Sequence, residues 1–254
     1  MSDNVFRVIV FMAVFVVVLS VWLFSFVYER VLFDRPSDFN RRVRVTENLW
    51  GRRFLRFGDD KATQSAALAR DPLAGVLPYV RKSVELATLA GRVGRVLVVG
   101  MGGGSMGMLM RNRYPLAYID MVEIDPVVVE AAELLGFRAD ARMVVTVGDG
   151  AAFVNAVRSR YDVVLLDAYD GVEIPGPLLT TEFFAALVVA VTPDGVVISN
   201  VLRRDINARF GDVMRGFGLY FSVSVLDVGE GAKNCLVIAS HHELAAVQGS
   251  TCSL

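Results

Sequence analysis

Hydrophobic positions fall into three regimes along this chain. From Val8 to Val27 the run VIVFMAVFVVVLSVWLFSFV holds no charge over twenty residues. As a helix it would reach roughly 30 Å, the depth of a bilayer hydrocarbon core. Next, Val43-Arg44-Val45 and Phe54-Leu55-Arg56-Phe57 show period two around Asn48 to Gly51, which predicts a β-hairpin. Leu73 to Leu89 then reads as a helix with Pro78 near its first turns. Beyond it, short apolar runs recur at Val96–Val99, Tyr118–Val122, Met143–Val147, Val163–Leu166 and Val196–Val201. Helical stretches separate them near Met106–Arg113, Val127–Leu135, Ala151–Arg158, Thr181–Val191 and Ile206–Phe217. Strands buried on both faces are apolar throughout, and a β-α-β rhythm implies a parallel sheet covered by helices. Leu219–Leu226 and Cys235–Ala239 flank Gly229-Glu230-Gly231 and read as an antiparallel pair.

The first apolar run has two main readings. Signal-peptide cores are usually about 7–15 residues long and end at small residues, whereas this run exits through Val27-Tyr28-Glu29-Arg30. An uncleaved anchor is favoured, and a buried core helix is the bland alternative. Phe11, Phe15, Trp22 and Phe24 would then face lipid. Arg7 alone precedes the run, while Arg30, Arg35, Arg41, Arg42 and Arg44 follow it. The positive-inside rule therefore predicts a single-pass membrane protein, held through residues 8–27, with its folded domain in the cytoplasm. Those arginines could also touch anionic headgroups, or simply belong to a solvated linker around Pro36-Ser37-Asp38.

Composition narrows the classes. At 54% hydrophobic and 21% charged, 254 residues exclude disorder, collagen and coiled coil. A net charge of -1 offers no global field for nucleic acid. Cys235 and Cys252 cannot build a disulfide framework, and His241 and His242 are the only histidines. Zinc and His-based catalysis are thus nearly excluded, and no metal site is expected.

Ligands in open α/β sheets bind beyond the carboxyl ends of the strands, and four strand ends here carry unusual residues. Gly100-Met101-Gly102-Gly103-Gly104-Ser105 follows the first parallel strand. Its glycines let backbone approach a ligand, and Gly102-x-Gly104-x-x-Gly107 also satisfies a dinucleotide fingerprint. Glu123 ends the next strand, where a carboxylate can accept both ribose hydroxyls. Asp125 precedes Pro126 and reads as an N-cap. Asp149, in Gly148-Asp149-Gly150, could accept from an exocyclic amine or cap a helix, with equal weight. Asp167-Ala168-Tyr169-Asp170-Gly171 makes an acidic mouth suited to amines, against a bland reading as turn chemistry. Asp167 follows a wholly apolar run, so burial would raise its pKa.

In this order, the motifs resemble the spermidine synthase (polyamine aminopropyltransferase) family. The matching stretches are Val96–Gly100 with its glycine loop, Val122-Glu123-Ile124-Asp125, Gly148-Asp149-Gly150, Tyr161-Asp162 through Asp170, Leu179–Phe184 and Pro193-Asp194-Gly195. The resemblance implies a Rossmann-like, class I methyltransferase-type sheet, parallel with an antiparallel C-terminal strand, preceded by a small β-hairpin region. It implies a donor substrate of decarboxylated S-adenosylmethionine or S-adenosylmethionine (SAM), and a small-molecule amine acceptor. Gln64, Gly100, Gly102, Gly103, Gly104, Glu123, Asp149 and Gly150 would hold the nucleoside. Asp167 would be the catalytic carboxylate, with Asp170, Tyr79 and Tyr169 at the acceptor. The expected layout is an anchor at 1–30, a linker at 31–42, a β region at 43–72, the catalytic domain at 73–240 and a tail at 241–254. Homo-oligomerisation is left open.

Two departures matter. Typical members carry Asp at the fourth position of the glycine loop, where this chain has Gly103, and Tyr79 is followed by Val80 and Arg81 instead of His and Glu. A loop without that carboxylate would tolerate the carboxylate of intact SAM. Aminopropyl transfer is therefore the leading expectation and methyl transfer the runner-up. A membrane-tethered domain that binds nucleoside without turnover is third.

Overall fold

The computed structural model describes residues 3–59, 62–157, 160–169, 174–229 and 231–244, and within the first helix the side chains of residues 7–20. That helix, α1, is Asp3–Val27. A four-stranded antiparallel sheet follows, in the order β1 (Glu29–Ser37), β2 (Arg41–Asn48), β3 (Arg52–Phe57), β4 (Ser65–Leu68). The expected hairpin is β2 and β3, where Val45 pairs with Leu55. The stretch expected as a linker forms most of β1 and its turn into β2.

The membrane anchor and its cytoplasmic topology are not borne out. Among the described residues no helix is long and apolar enough to cross a membrane. The arginine asymmetry also has a local explanation within the sheet. Arg30 pairs with Glu47 at 2.7 Å, Arg35 with Glu130 at 2.5 Å, and Arg42 and Arg44 both with Asp34.

The body of the protein is a seven-stranded sheet. Its parallel strands are β5 (Arg95–Val99), β6 (Tyr118–Glu123), β7 (Met143–Val147), β8 (Tyr161–Leu166) and β9 (Val191–Leu202). Antiparallel β10 (Ser222–Asp227) and β11 (Asn234–Ser240) complete it, in the order β10-β11-β9-β8-β5-β6-β7. The strand order reverses between β5 and β8, which places a ligand crevice at their carboxyl ends.

Helices cover both faces. They are α2 (Pro78–Leu86), α3 (Ser105–Arg113), α4 (Pro126–Ala132), α5 (Gly150–Ala156), α6 (Thr181–Ala190) and α7 (Phe210–Gly218). On one face Phe183, Phe184 and Phe217, edge to face with one another, share a cluster with alternate residues of β5, β8 and β9. On the other, Met106, Met110, Met121 and Met143 join Val96, Val98 and Val163. Asp125 caps α4, accepting from Val127 N–H at 2.9 Å, with Pro126 at the first helical position as expected. Cys235 is fully buried on β11, and His241 packs its ring on Phe221 at 5.2 Å between centroids.

Candidate active site

One cavity of about 640 Å³ opens at the carboxyl ends of the central strands, roofed by loops of the N-terminal sheet. Its lining gathers Gln64, Tyr79, Gly100, Gly102, Glu123, Asp149, Gly150, Asp167 and Tyr169 from widely separated parts of the sequence. Gly103 and Gly104 are not in that lining, and Asp170 lies outside the described residues.

The Glu123 end is organised by the loop between β5 and α3. Gly100 has φ of +85°, and a Cβ there would stand 2.3 Å from the carbonyl oxygen of Asp167. Only glycine lets these two strand exits run so close. The loop then turns its amides onto Glu123. Met101 N–H and Gly102 N–H donate to Oε2 at 3.0 and 3.1 Å, and Asp125 N–H donates to Oε1 at 3.1 Å. The loop amides thus hold a protein carboxylate. Burial raises the Glu123 pKa, while these three amides oppose the rise. Asp149 caps α5, accepting from Ala152 N–H at 2.8 Å, and also lines the cavity.

The two remaining glycines of the loop lie outside that lining. A Cβ on Gly103 would lie 2.5 Å from Ser65 Oγ and 2.8 Å from Leu135 Cδ2, within the packing between β4 and the segment after α4. Both were expected at the nucleoside; neither is in the lining, and an added Cβ would meet Ser65 and Leu135 at Gly103 and the Phe137 ring at Gly104.

At the other end stands Asp167, just past β8. Tyr79 O–H, from the first turn of α2, donates to its Oδ2 at 2.9 Å. Asn200, on β9, donates from Nδ2 to its Oδ1 at 2.8 Å. Asn234 Nδ2 donates in turn to Asn200 Oδ1 at 2.8 Å, and Tyr169 O–H donates to the Asn200 carbonyl at 2.7 Å. Desolvation pushes the Asp167 pKa up to about 6, against the two side-chain donors that favour its charged form, with Glu123 adding to the rise. Burial and the Asp167 charge push Tyr79 well above the ordinary phenol range, so it stays a proton donor. Sequence reasoning missed Asn200 and Asn234. The available signal was an amide inside the otherwise apolar β9 run Val196–Val201.

Fold and cavity together give a Rossmann-like domain of the methyltransferase type, with Glu123, Asp149 and Asp167 lining one crevice. The chain matches the spermine/spermidine synthase domain over residues 85–207. It is 34% identical over 127 residues to the polyamine aminopropyltransferase of Vibrio vulnificus, covering 48% of this chain and 42% of that one. A probable spermidine synthase from Corynebacterium glutamicum superposes with a TM-score of 0.72 at 17% identity, covering 88% and 84% of the two chains. Human methyltransferase-like protein 13 in complex with SAH superposes at 0.55 with 29% identity, covering 66% of this chain and 81% of that one. The chain spans less than half the length of the first curated relatives it matches.

Proposed function

We propose that this chain is a transferase acting on a sulfonium nucleoside, and that its leading activity is aminopropyl transfer from decarboxylated SAM to a di- or polyamine. The observation that carries the reading is one cavity with Glu123 and Asp149 at one end and Asp167, held by Tyr79 and Asn200, at the other. Glu123 would accept the ribose hydroxyls and Asp149 the adenine amine. The acceptor nitrogen attacks the carbon bonded to sulfur. A C–N bond forms, the C–S bond breaks, and the electron pair leaves on the neutral thioether. The attacking nitrogen becomes an ammonium, and its proton passes to Asp167. A carboxylate with a pKa near 6 is ionised at neutral pH and basic enough to take that proton. Tyr79 and Asn200 fix its two oxygens, so the base is aligned before the acceptor arrives.

Methyl transfer from intact SAM is the second reading, and the packing at Gly103 favours it. Ser65 and Leu135 fill the space a carboxylate side chain would need there, so this loop position cannot hold a donor amine. Similarity to a methyltransferase bound to SAH is in keeping with the same reading. The test is to offer putrescine and longer diamines with decarboxylated SAM, and separately with SAM, and to weigh the products. Aminopropylated amine supports the leading reading, and methylated amine alone replaces it. Binding of a donor without turnover would leave a nucleoside-binding domain with no transferase activity.

A further inference from the structure

The turn between β1 and β2 is held in a way a surface turn does not require. Arg41 has φ of +60°, the one non-glycine residue with positive φ among the described residues. Strain of this kind persists only where surrounding contacts over-determine it. Here they do. Ser37 Oγ accepts from the N–H groups of Phe39 and Asn40 at 3.1 and 3.0 Å, and Arg42 N–H closes on the Asn40 carbonyl at 2.6 Å. Ser37 Oγ and Asn40 Nδ2 then donate to Oδ2 of Asp125 at 2.5 and 2.7 Å. Asp125 is 1% exposed.

That carboxylate stands two residues after Glu123, and its own N–H is on Glu123 Oε1. The latch therefore sets the turn beside Ile124. Phe39, between the two latching residues, and Ile124 both line the cavity, yet they are 51% and 40% exposed. Two large apolar side chains left open at the mouth of a nucleoside-sized cavity lack a partner for their faces.

We propose that the β1–β2 turn is a donor clamp, with Phe39 packing on the nucleoside at the Glu123 end and the Ser37–Asn40–Asp125 latch holding it there. The clamp rests on the nucleoside reading of the Glu123 end and holds for either transferred group, since both donors share the adenosine. It also gives the N-terminal sheet a task in the site, beyond covering it.

The full chain should be titrated calorimetrically with 5′-methylthioadenosine, the adenosine common to both donors. Phe39→Ala should weaken binding about tenfold, the loss of one base–aromatic stack. Phe39→Trp should keep affinity within about threefold and add a tryptophan emission that changes on nucleoside addition. Asn40→Ala should weaken binding with Phe39 intact, because it loosens the latch. In turnover assays Phe39→Ala should raise the donor KM and leave the acceptor KM alone. Glu123→Ala separates the two levels. If it weakens binding while Phe39→Ala stays within twofold of the parent, the clamp is overturned and the nucleoside reading stands. If Glu123→Ala binds as the parent does, the nucleoside reading falls and takes the clamp with it.

Discussion

The two ends of the cavity are built from different material. At the Glu123 end the contacts are largely main chain, with loop amides on Glu123 and an α5 amide on Asp149. At the other end they are side chain to side chain, with Tyr79 of α2 and Asn200 of β9 donating to Asp167 and Asn234 of β11 donating to Asn200. Main-chain donors set by a β-α turn survive every side-chain substitution except proline, which removes the N–H. A side-chain network can be dismantled one member at a time, so it is where specificity and proton affinity can be tuned.

The largest expected effect falls on the side-chain end. Asp167→Asn keeps the shape and removes the base, so turnover should fall by roughly 10²-fold or more. Calorimetric affinity for the donor should change by less than about twofold, because the substitution leaves every donor contact in place. Unchanged turnover would remove the base role from Asp167 whichever group is transferred. Glu123→Ala should do the reverse, weakening donor binding by roughly 1.5–3 kcal/mol, as for hydrogen bonds to a charged group. The freed loop amides add to that loss, so a variant whose donor affinity and melting temperature both match the parent would break the contrast.

The same difference decides what could be read in the sequence. The parallel strands were legible because each is an apolar run bounded by turn residues, and β5 to β9 fall where the periodicity puts them. Glu123, Asp149 and the glycine loop were legible because a strand end followed by a helix start places them without knowledge of distant residues. Asp167 was legible for the same reason. Its partners were not, since Tyr79 lies 88 positions away and Asn200 lies 33 away. Only the register of β8 with β9, Leu166 opposite Ser199, brings Asn200 beside Asp167. The N-terminal sheet was half legible. β2 and β3 alternate, but β1 carries Arg and Asp inside the strand and paired across it, and that reads as a linker. The resemblance placed Gly103 and Gly104 in the site by position in a motif, and it gave no sign of the close packing of Ser65, Leu135 and Phe137 around them.

Gly103 offers a sharper test of that last point. Gly103→Asp should not create an amine site, because its Cβ would collide with Ser65 and Leu135. Overpacking of this sort costs about 1–3 kcal/mol, readable as a lowered denaturation midpoint. A variant that keeps its stability and gains affinity for decarboxylated SAM over SAM would show that the slot opens.

The smallest effect is a displacement of the pH profile, and its sign follows from the network. The Asp167 pKa, near 6 in the folded chain against an ordinary 3.8, puts an acid limb near pH 6 on kcat/KM, with activity rising as the carboxylate ionises. The hydrogen bonds from Asn200 and Tyr79 favour the ionised form. Removing either donor, by Asn200→Leu or Tyr79→Phe, should therefore move the limb upward, by about half to one pH unit for a hydrogen bond of ordinary strength. A purely structural role for these residues would lower the whole profile and leave the limb where it was. The stability counterpart has a fixed sign as well. A carboxyl whose folded pKa exceeds its unfolded one binds its proton more tightly in the native state. Its contribution is therefore complete below about pH 4 and lost as pH rises through about 6. Asp167→Asn does not titrate, so its melting temperature should gain on the parent between pH 4 and 7 and then run parallel. A gain in the opposite direction would mean that Asp167 is stabilised as an anion by the fold, and the proton-accepting role would lose its physical basis.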